Sequence, residues 1–238
     1  MDHPIRSAFS FFSKKYERIL LIILLVQIPL LTLYFFFANY MYAVVPNFGT
    51  AFSAADIYNA YFMIILFFVA QIPFIYYWHY EESGEEKPFR LAILQSVIRV
   101  FHFFVFAVSI GALITLGLAV FVLPGLIIMA MFISAPLIAI TENKSVWKSV
   151  RESIQLFKRH HWKLLLLIIA FSLIEFVLSF MVQVFILNIT TSYLAVVLSH
   201  LFINTIFFPL FYLTLAFLVA KWRKDLGLYA IEESSVTI

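Results

Sequence analysis

Residues 141–162, TENKSVWKSVRESIQLFKRHHW, form the longest polar stretch of the chain and stand between long apolar blocks. The apolar side chains of this stretch recur every three or four positions, the spacing of one helix face: Val146, Val150, Ile154, Phe157 and His161. Its basic side chains fall mostly on the other side. We therefore predict a basic amphipathic helix that either lies flat on an anionic membrane surface or packs as a loop helix against its own protein.

The composition is that of an integral membrane protein. Of the 238 residues, 64% are hydrophobic and 12% are charged, and the mean hydropathy is +1.01. A soluble domain carries about 25% charged residues. The chain contains no Cys, which excludes disulfides, thiol catalysis and Cys-ligated metals.

Six apolar blocks approach or exceed the length of a membrane-spanning helix, about 20 residues: 19–42, 57–78, 97–122, 126–140, 164–187 and 193–220. The fourth block is short, and Leu123-Pro124-Gly125 separates it from the third as a tight uncharged turn. The blocks are too long for barrel strands and do not alternate. We therefore predict an all-α, polytopic membrane protein with six transmembrane helices.

The positions of the basic residues predict the orientation of these helices. Of the 16 Lys and Arg, 15 lie before the first block, between the second and third, between the fourth and fifth, or after the sixth, and Arg99 lies at the start of the third. Because basic loops stay on the cytoplasmic side, both termini are expected to be cytoplasmic. Residues 221–238 are expected to form a short polar cytoplasmic tail.

Three short segments resemble one another and suggest an internal repeat: PIRSAF at 4–9, PFRLAI at 88–93 and SVRESI at 149–154. Each stands at the start of a basic segment whose apolar residues have helical spacing. Each such segment is followed by one span that runs outward and one that runs inward. The chain therefore reads as three units, about 4–80, 88–140 and 149–222, each an interfacial helix plus a helical hairpin. Parallel repeats of this kind are related by an axis along the membrane normal. The alternative is that basic amphipathic starts look alike by composition alone.

Glu175 is the acid placed deepest in the apolar blocks, near the middle of the fifth. A charged side chain at this depth costs about 3 kcal/mol on insertion scales, so Glu175 is expected to face the bundle interior. One interpretation is a proton or cation site, or a contact to a lipid head group. The other is a structural hydrogen bond to a neighbouring helix.

Other polar side chains inside the blocks are candidate partners of Glu175. Gln27 and Gln71 each begin the tripeptide Gln-Ile-Pro, and His200 and Asn204 are four residues apart, hence on one helix face. Each Pro frees a backbone carbonyl that a nearby Gln can satisfy. The glutamines therefore either hold paired kinks or line a polar cavity between the first, second and fifth blocks, closed by Glu175. The scattered histidines predict no metal site, and no cofactor is expected.

The basic surface residues are predicted to contact anionic lipid head groups of the cytoplasmic leaflet, at about 1 kcal/mol each. They are Arg6, Lys14, Lys15, Arg90, Lys148, Arg151, Lys158 and Arg159.

Leu-Pro-Gly at 123–125, then Pro136, Glu142 and SIQLFKRHHW at 153–162, resemble a known pattern. It is that of the membrane domain beside some bacterial glycerophosphoryl diester phosphodiesterases, and of its stand-alone relatives. The match covers about residues 95–175. The resemblance implies a membrane module in a bacterial cytoplasmic membrane. In the phosphodiesterases a separate soluble domain carries catalysis, so the resemblance implies no catalytic residue here.

Three functions are compatible with these features. The first is a non-enzymatic scaffold or accessory subunit that binds lipids, a partner membrane protein, or both. The second is a small-solute or lipid transporter with a cavity near Glu175. The third, a membrane-embedded enzyme, is disfavoured because the chain lacks a phosphate-binding Gly-rich loop, a Gly-x-Ser-x-Gly elbow and a His-Glu-x-x-His motif. No nucleic-acid partner is expected.

Overall fold

The computed structural model describes residues 4–46 and 53–225. Helix accounts for about 91% of it, with no strand among these residues. The helices, in chain order, are α1 (Pro4–Lys14), α2 (Tyr16–Ile22), a π-helical turn (Ile23–Gln27), α3 (Ile28–Val44), α4 (Ala54–Glu82), α5 (Pro88–Val120), α6 (Val122–Phe132), α7 (Ala135–Thr141), α8 (Val146–Ile189) and α9 (Tyr193–Asp225).

Six helical segments are long and apolar enough to cross a membrane: Tyr16–Val44, Ala54–Glu82, Pro88–Val120, Val122–Thr141, Val146–Ile189 and Leu194–Asp225. The predicted six-helix membrane fold is therefore confirmed. We call the side of the molecule that carries the Lys and Arg residues the basic end.

The even-numbered spans form the centre of the bundle. We compare the share of buried residues in the most apolar 18-residue window of each span. This share is 61, 56 and 61% in spans two, four and six. It is only 22, 39 and 17% in spans one, three and five. Inner and outer spans thus alternate along the chain. The predicted repeat of one outer and one inner helix in each of three units would produce this alternation.

The starts of the three units are also buried in the same way. Ala8, Ala92 and Ser153, the fifth residues of the three similar segments, are each fully buried. Their helices pack on an inner helix of another unit: α1 on α9, α5 on α4, and α8 on α6 and α7. Small side chains are needed at this position because the starting helix crosses close to its neighbour.

The predicted turn at Leu123-Pro124-Gly125 is wrong in its position. The chain turns at Phe121, whose extended backbone (φ −162°, ψ 150°) separates α5 from α6, and α6 includes residues 123–125. Gly117 and Gly125 let the two helices meet, because a Cβ on Gly117 would lie 2.9 Å from the Gly125 backbone. The Leu-Pro-Gly motif therefore serves a close helix contact within the hairpin.

The basic helix at the start of α8 packs on the protein itself. Its buried residues are Val146, Ser149, Ser153 and Leu156, so the buried face is rotated from the predicted apolar stripe towards two serines. Ser153 donates a hydrogen bond to the carbonyl of Met131 at 2.7 Å. The spacing of apolar residues could not predict this face, because two of its buried residues are serines. Serine fits at a close helix crossing because its side chain is small.

Residues 221–225, which the sequence assigned to a polar tail, belong to helix α9. Helix α9 continues to Asp225, and Trp222 and Arg223 are buried. Residues 226–238 lie outside the described residues. A buried Arg is retained here because acidic side chains surround it, as described below.

Candidate ligand cavity

A cavity of about 360 Å³ lies between α3, α4, α8 and α9. Along α3 its wall runs from Gln27 to Tyr42, roughly 22 Å at 1.5 Å per residue. It thus extends from the middle of the bundle towards the end opposite the basic end. Its volume falls within the range of small-ligand sites.

Four polar side chains that the sequence analysis singled out line this cavity together: Gln27, Glu175, His200 and Asn204. They come from three helices. Gln27 Nε2 donates to the backbone carbonyl of Asn204 at 2.8 Å, and Asn204 Nδ2 donates to the carbonyl of His200 at 2.9 Å. The first bond joins the π-helical turn to α9, and the second holds the Asn204 side chain against its own helix.

Proline explains the local backbone at this inner end. The π-helical turn ends two residues before Pro29, which cannot donate a backbone hydrogen bond. On α9, Pro209 likewise interrupts the hydrogen-bond ladder in the next turn after Asn204. Of the two alternatives for Gln27, a hydrogen bond to a backbone carbonyl and a place on a polar cavity, the structure shows both, and the carbonyl belongs to α9.

Glu175 is half-buried and accepts a hydrogen bond from Ser179 on the same helix at 3.1 Å. Among the described residues, no Lys, Arg or His lies within ion-pair distance of its carboxylate. Gln27 Oε1 is also buried without a hydrogen-bond partner in the described part of the chain. The cavity therefore offers a carboxylate that has no ion-pair partner among the described residues and an amide oxygen that has no hydrogen-bond partner there.

The remaining wall is apolar and rich in aromatic rings, with a few polar groups towards the outer end. It consists of Leu30, Leu31, Tyr34, Phe35, Ala38, Asn39, Tyr42, Met63, Leu66, Phe67, Ala70, Leu201 and Phe208. No described Lys or Arg lines it. At the outer end, Tyr42 donates a hydrogen bond to Asp56 Oδ1 at 2.6 Å. The cavity thus combines an acidic inner end with aromatic walls.

A second cavity, of about 210 Å³, lies on the other side of Glu175, between α4, α6, α8 and α9. The two cavities share Met63, Phe67, Glu175 and Phe208 as wall residues. The rings of Phe67 and Phe208 meet edge to face at 5.9 Å. Glu175 thus lies on the partition between two spaces rather than in a closed apolar bundle.

Gln71 does not belong to the cavity. It is fully buried in α4, and neither of its side-chain polar atoms has a hydrogen-bond partner among the described residues. The predicted grouping of Gln71 with Glu175 is wrong because residues 68–78 of the inner helix α4 are buried on all sides. Gln27 and Gln71 were predicted to lie at similar depths in the membrane, but depth alone does not show which face of its helix a residue occupies.

The aromatic wall was missed by sequence reasoning. Tyr34, Phe35, Phe67 and Phe208 are four of 41 Phe and Tyr residues, and nothing in their spacing separates them from rings that face lipid. A stripe along α3 gives the one usable signal: Gln27, Leu31, Tyr34, Ala38 and Tyr42 recur at helical spacing.

The predicted head-group residues are divided between two places. Lys14, Lys15 and Arg90 line one groove at the basic end. The others are exposed on α1 and on the first part of α8: Arg6, Lys148, Arg151, Lys158 and Arg159.

An ion-pair network at the basic end was also missed. Arg223, only 1% exposed, pairs with Glu142 and with Glu152, whose Oε1 lies 2.7 Å from its Nε. Lys144 pairs with the same two acids, at 2.9 Å to Glu152. The network joins the end of α9 to the start of α8 and to the loop after α7.

Comparison of the chain with protein-family models, curated proteins and solved structures gives no match.

Proposed function

We propose that the protein is a non-enzymatic membrane protein that binds a small amphipathic amine in the cavity beside Glu175. The observation that carries this proposal is the unpaired carboxylate of Glu175 in an aromatic-lined cavity that no described Lys or Arg reaches. An ammonium group about 4 Å from a carboxylate gains about 4 kcal/mol at an effective dielectric constant of 20, before desolvation. Tyr and Phe faces add cation–π attraction for the same kind of ligand.

Two further features support an amine over an anionic solute. Gln27 Oε1 supplies a second acceptor at the inner end, and an ammonium group carries donors enough for both. No described Lys or Arg lines the cavity, so a carboxylate or phosphate would enter it without a permanent positive charge to pair with.

A matched ligand series tests the proposal. The full chain is placed in nanodiscs of zwitterionic lipid and titrated by calorimetry with 2-phenylethylamine, 2-phenylethanol and 3-phenylpropionate, each against empty nanodiscs. We expect the amine to bind at least about tenfold more tightly than the alcohol, or about 1.4 kcal/mol, and the carboxylate not to bind. Equal binding of all three would mean that Glu175 does not select the ligand.

The proposal extends to transport of the bound amine, which distinguishes a transporter from a binding subunit. Proteoliposomes are expected to take up labelled 2-phenylethylamine faster than empty liposomes, and Glu175→Gln is expected to abolish the difference. Binding without uptake would favour an accessory subunit that holds the amine.

A second candidate function is that of a scaffold protein that binds anionic lipid. It is supported by the exposure of Lys148, Arg151, Lys158 and Arg159 on a helix whose opposite face is packed on the protein. Reversal of the charges of Arg151, Lys158 and Arg159 to Glu is expected to weaken retention of anionic lipid. Unchanged retention would remove this candidate. A partner membrane protein would dock on the membrane-spanning part of α8, because the side chains there are largely exposed and apolar.

The same proposal places the protein in a bacterial cytoplasmic membrane with both termini cytoplasmic. The supporting observation is that Lys and Arg are concentrated in the segments before the first apolar block and after the second, fourth and sixth. The resemblance of residues 95–175 to the phosphodiesterase membrane domain supports the bacterial location.

A further inference from the structure

A groove at the basic end is built from three separate parts of the chain. It has a volume of about 600 Å³ and lies where the α1–α2 junction meets the end of α4 and the start of α5. It is distinct from the cavity beside Glu175, with which it shares no residue.

The groove gathers five basic side chains: Lys14, Lys15, Arg18, Lys87 and Arg90. Three acids, Glu17, Glu81 and Glu86, also line it, so the lining carries an excess of two positive charges. Glu81 is already engaged, since it pairs with Lys15 Nζ at 2.7 Å and accepts a hydrogen bond from the Tyr77 hydroxyl at 2.9 Å.

Three of the cations are available for a ligand. Among the described residues, no carboxylate lies within 4 Å of the ammonium groups of Lys14 and Lys87 or of the Arg90 guanidinium. Lys87 and Arg90 are exposed on either side of Pro88, at the start of α5. Arg18 is held over the ring of Phe89 at 5.7 Å, which fixes a fourth charge at the same wall.

The helices that form the groove lead directly to lipid-facing surface. After Arg18, Leu20 on α2 and Leu24 in the π-helical turn are 50 and 51% exposed. After Arg90, Leu94 and Val97 on α5 are 51 and 67% exposed. A ligand with its phosphate in the groove could therefore lay acyl chains along apolar side chains within two helical turns.

We propose that this groove binds a phosphate group, as carried by an anionic phospholipid head group or by free phosphate. Arg and Lys are the side chains that bind phosphate through charge-assisted hydrogen bonds, Arg in a bidentate manner. Arg90 and Lys87 contact the phosphate oxygens directly, and Lys14 approaches from the other wall.

Native mass spectrometry of the full chain in mild detergent tests the assignment. The probes are dioleoyl phosphatidylglycerol, dioleoyl phosphatidylcholine and inorganic phosphate. The test variant is Lys87→Gln/Arg90→Gln. The matched control, Lys163→Gln/Lys224→Gln, removes the same charge from exposed residues of α8 and α9 that are not among the predicted lipid contacts.

We expect the unmodified protein to retain one phosphatidylglycerol in preference to phosphatidylcholine. The test variant should lose at least tenfold in that affinity, and the control should keep it. Persistence of the bound lipid in 10 mM inorganic phosphate would identify the lipid as the source, whereas displacement by phosphate would identify free phosphate; both outcomes support a phosphate site.

Equal losses in the test and control variants would overturn the proposal, since they would indicate diffuse charge attraction. Equal retention of the two lipids together with no phosphate binding would overturn it as well. If the double variant does not remain monodisperse, Lys14→Gln, which alters an exposed side chain on the other wall, replaces it with the same expected loss.

Discussion

Lys15 and His160 interrupt their helices with nearly the same backbone angles: φ −116° and ψ 21° at Lys15, φ −127° and ψ 25° at His160. Each lies eleven residues after the start of its repeat segment, Pro4 and Ser149. At each point a basic starting helix bends into an outer span. The corresponding residue of the second unit, Arg99, continues within α5 without a break.

The side chains at this position make equivalent contacts in all three units. Lys15 pairs with Glu81 at 2.7 Å, Arg99 donates to Asn143 Oδ1, and the ring of His160 stacks on Trp222 at 4.6 Å. Each contact joins the first helix of a unit to the end of its own inner helix or, at Asn143, to the turn that follows that helix.

Removal of the buried cation at the basic end is expected to destabilise the fold strongly. Arg223→Met leaves Glu142 and Glu152 with Lys144 as their described partner, and breaking a buried ion pair costs about 3–5 kcal/mol. Thermal unfolding in detergent measures this loss. The exposed neighbour Lys224 provides the control, and Lys224→Met should leave the midpoint nearly unchanged. A similar midpoint for both variants would show that the network contributes little.

The contact between α5 and α6 is expected to be intolerant of a single methyl group. In Gly125→Ala, the new Cβ would lie 2.8 Å from the backbone nitrogen of Leu118, so the helices must separate, at a cost of about 1–3 kcal/mol. Gly84→Asn serves as the control, because nothing lies within 4 Å there and Asn tolerates its positive φ of 75°. The two unfolding midpoints are compared; an unshifted midpoint for Gly125→Ala would contradict the close contact.

The sequence predicted well what depends on average properties of long segments. Block length and apolarity sufficed to predict six spans. Of the cavity, the polar residues Gln27, Glu175, His200 and Asn204 were found because polar side chains are rare inside apolar blocks.

The residues that were missed depend on which helix faces meet. Gln71 and Gln27 share a tripeptide, yet one is enclosed in an inner helix and the other faces the cavity. Arg223 is one of three basic residues near the end of α9, and only its acidic partners on α8 and in the α7–α8 loop distinguish it. No single-segment pattern carries that information.

The orientation is testable because the natural chain contains no Cys. Ser192→Cys lies between α8 and α9, at the end opposite the basic end, and Lys224→Cys lies near the end of α9. In intact cells, a membrane-impermeant maleimide is expected to label Cys at position 192 and to label position 224 only after permeabilisation. The reverse pattern would place the basic end outside.

The affinity of the Glu175 variant for an amine tests the central claim most directly. Calorimetric titration with 2-phenylethylamine is performed on the unmodified chain, on Glu175→Gln and on Glu82→Gln, which removes an exposed carboxylate at the basic end. We predict at least about a tenfold loss of affinity, or about 1.4 kcal/mol, for Glu175→Gln and none for Glu82→Gln. Equal affinities for all three proteins would contradict the assignment of the cavity to an amine ligand.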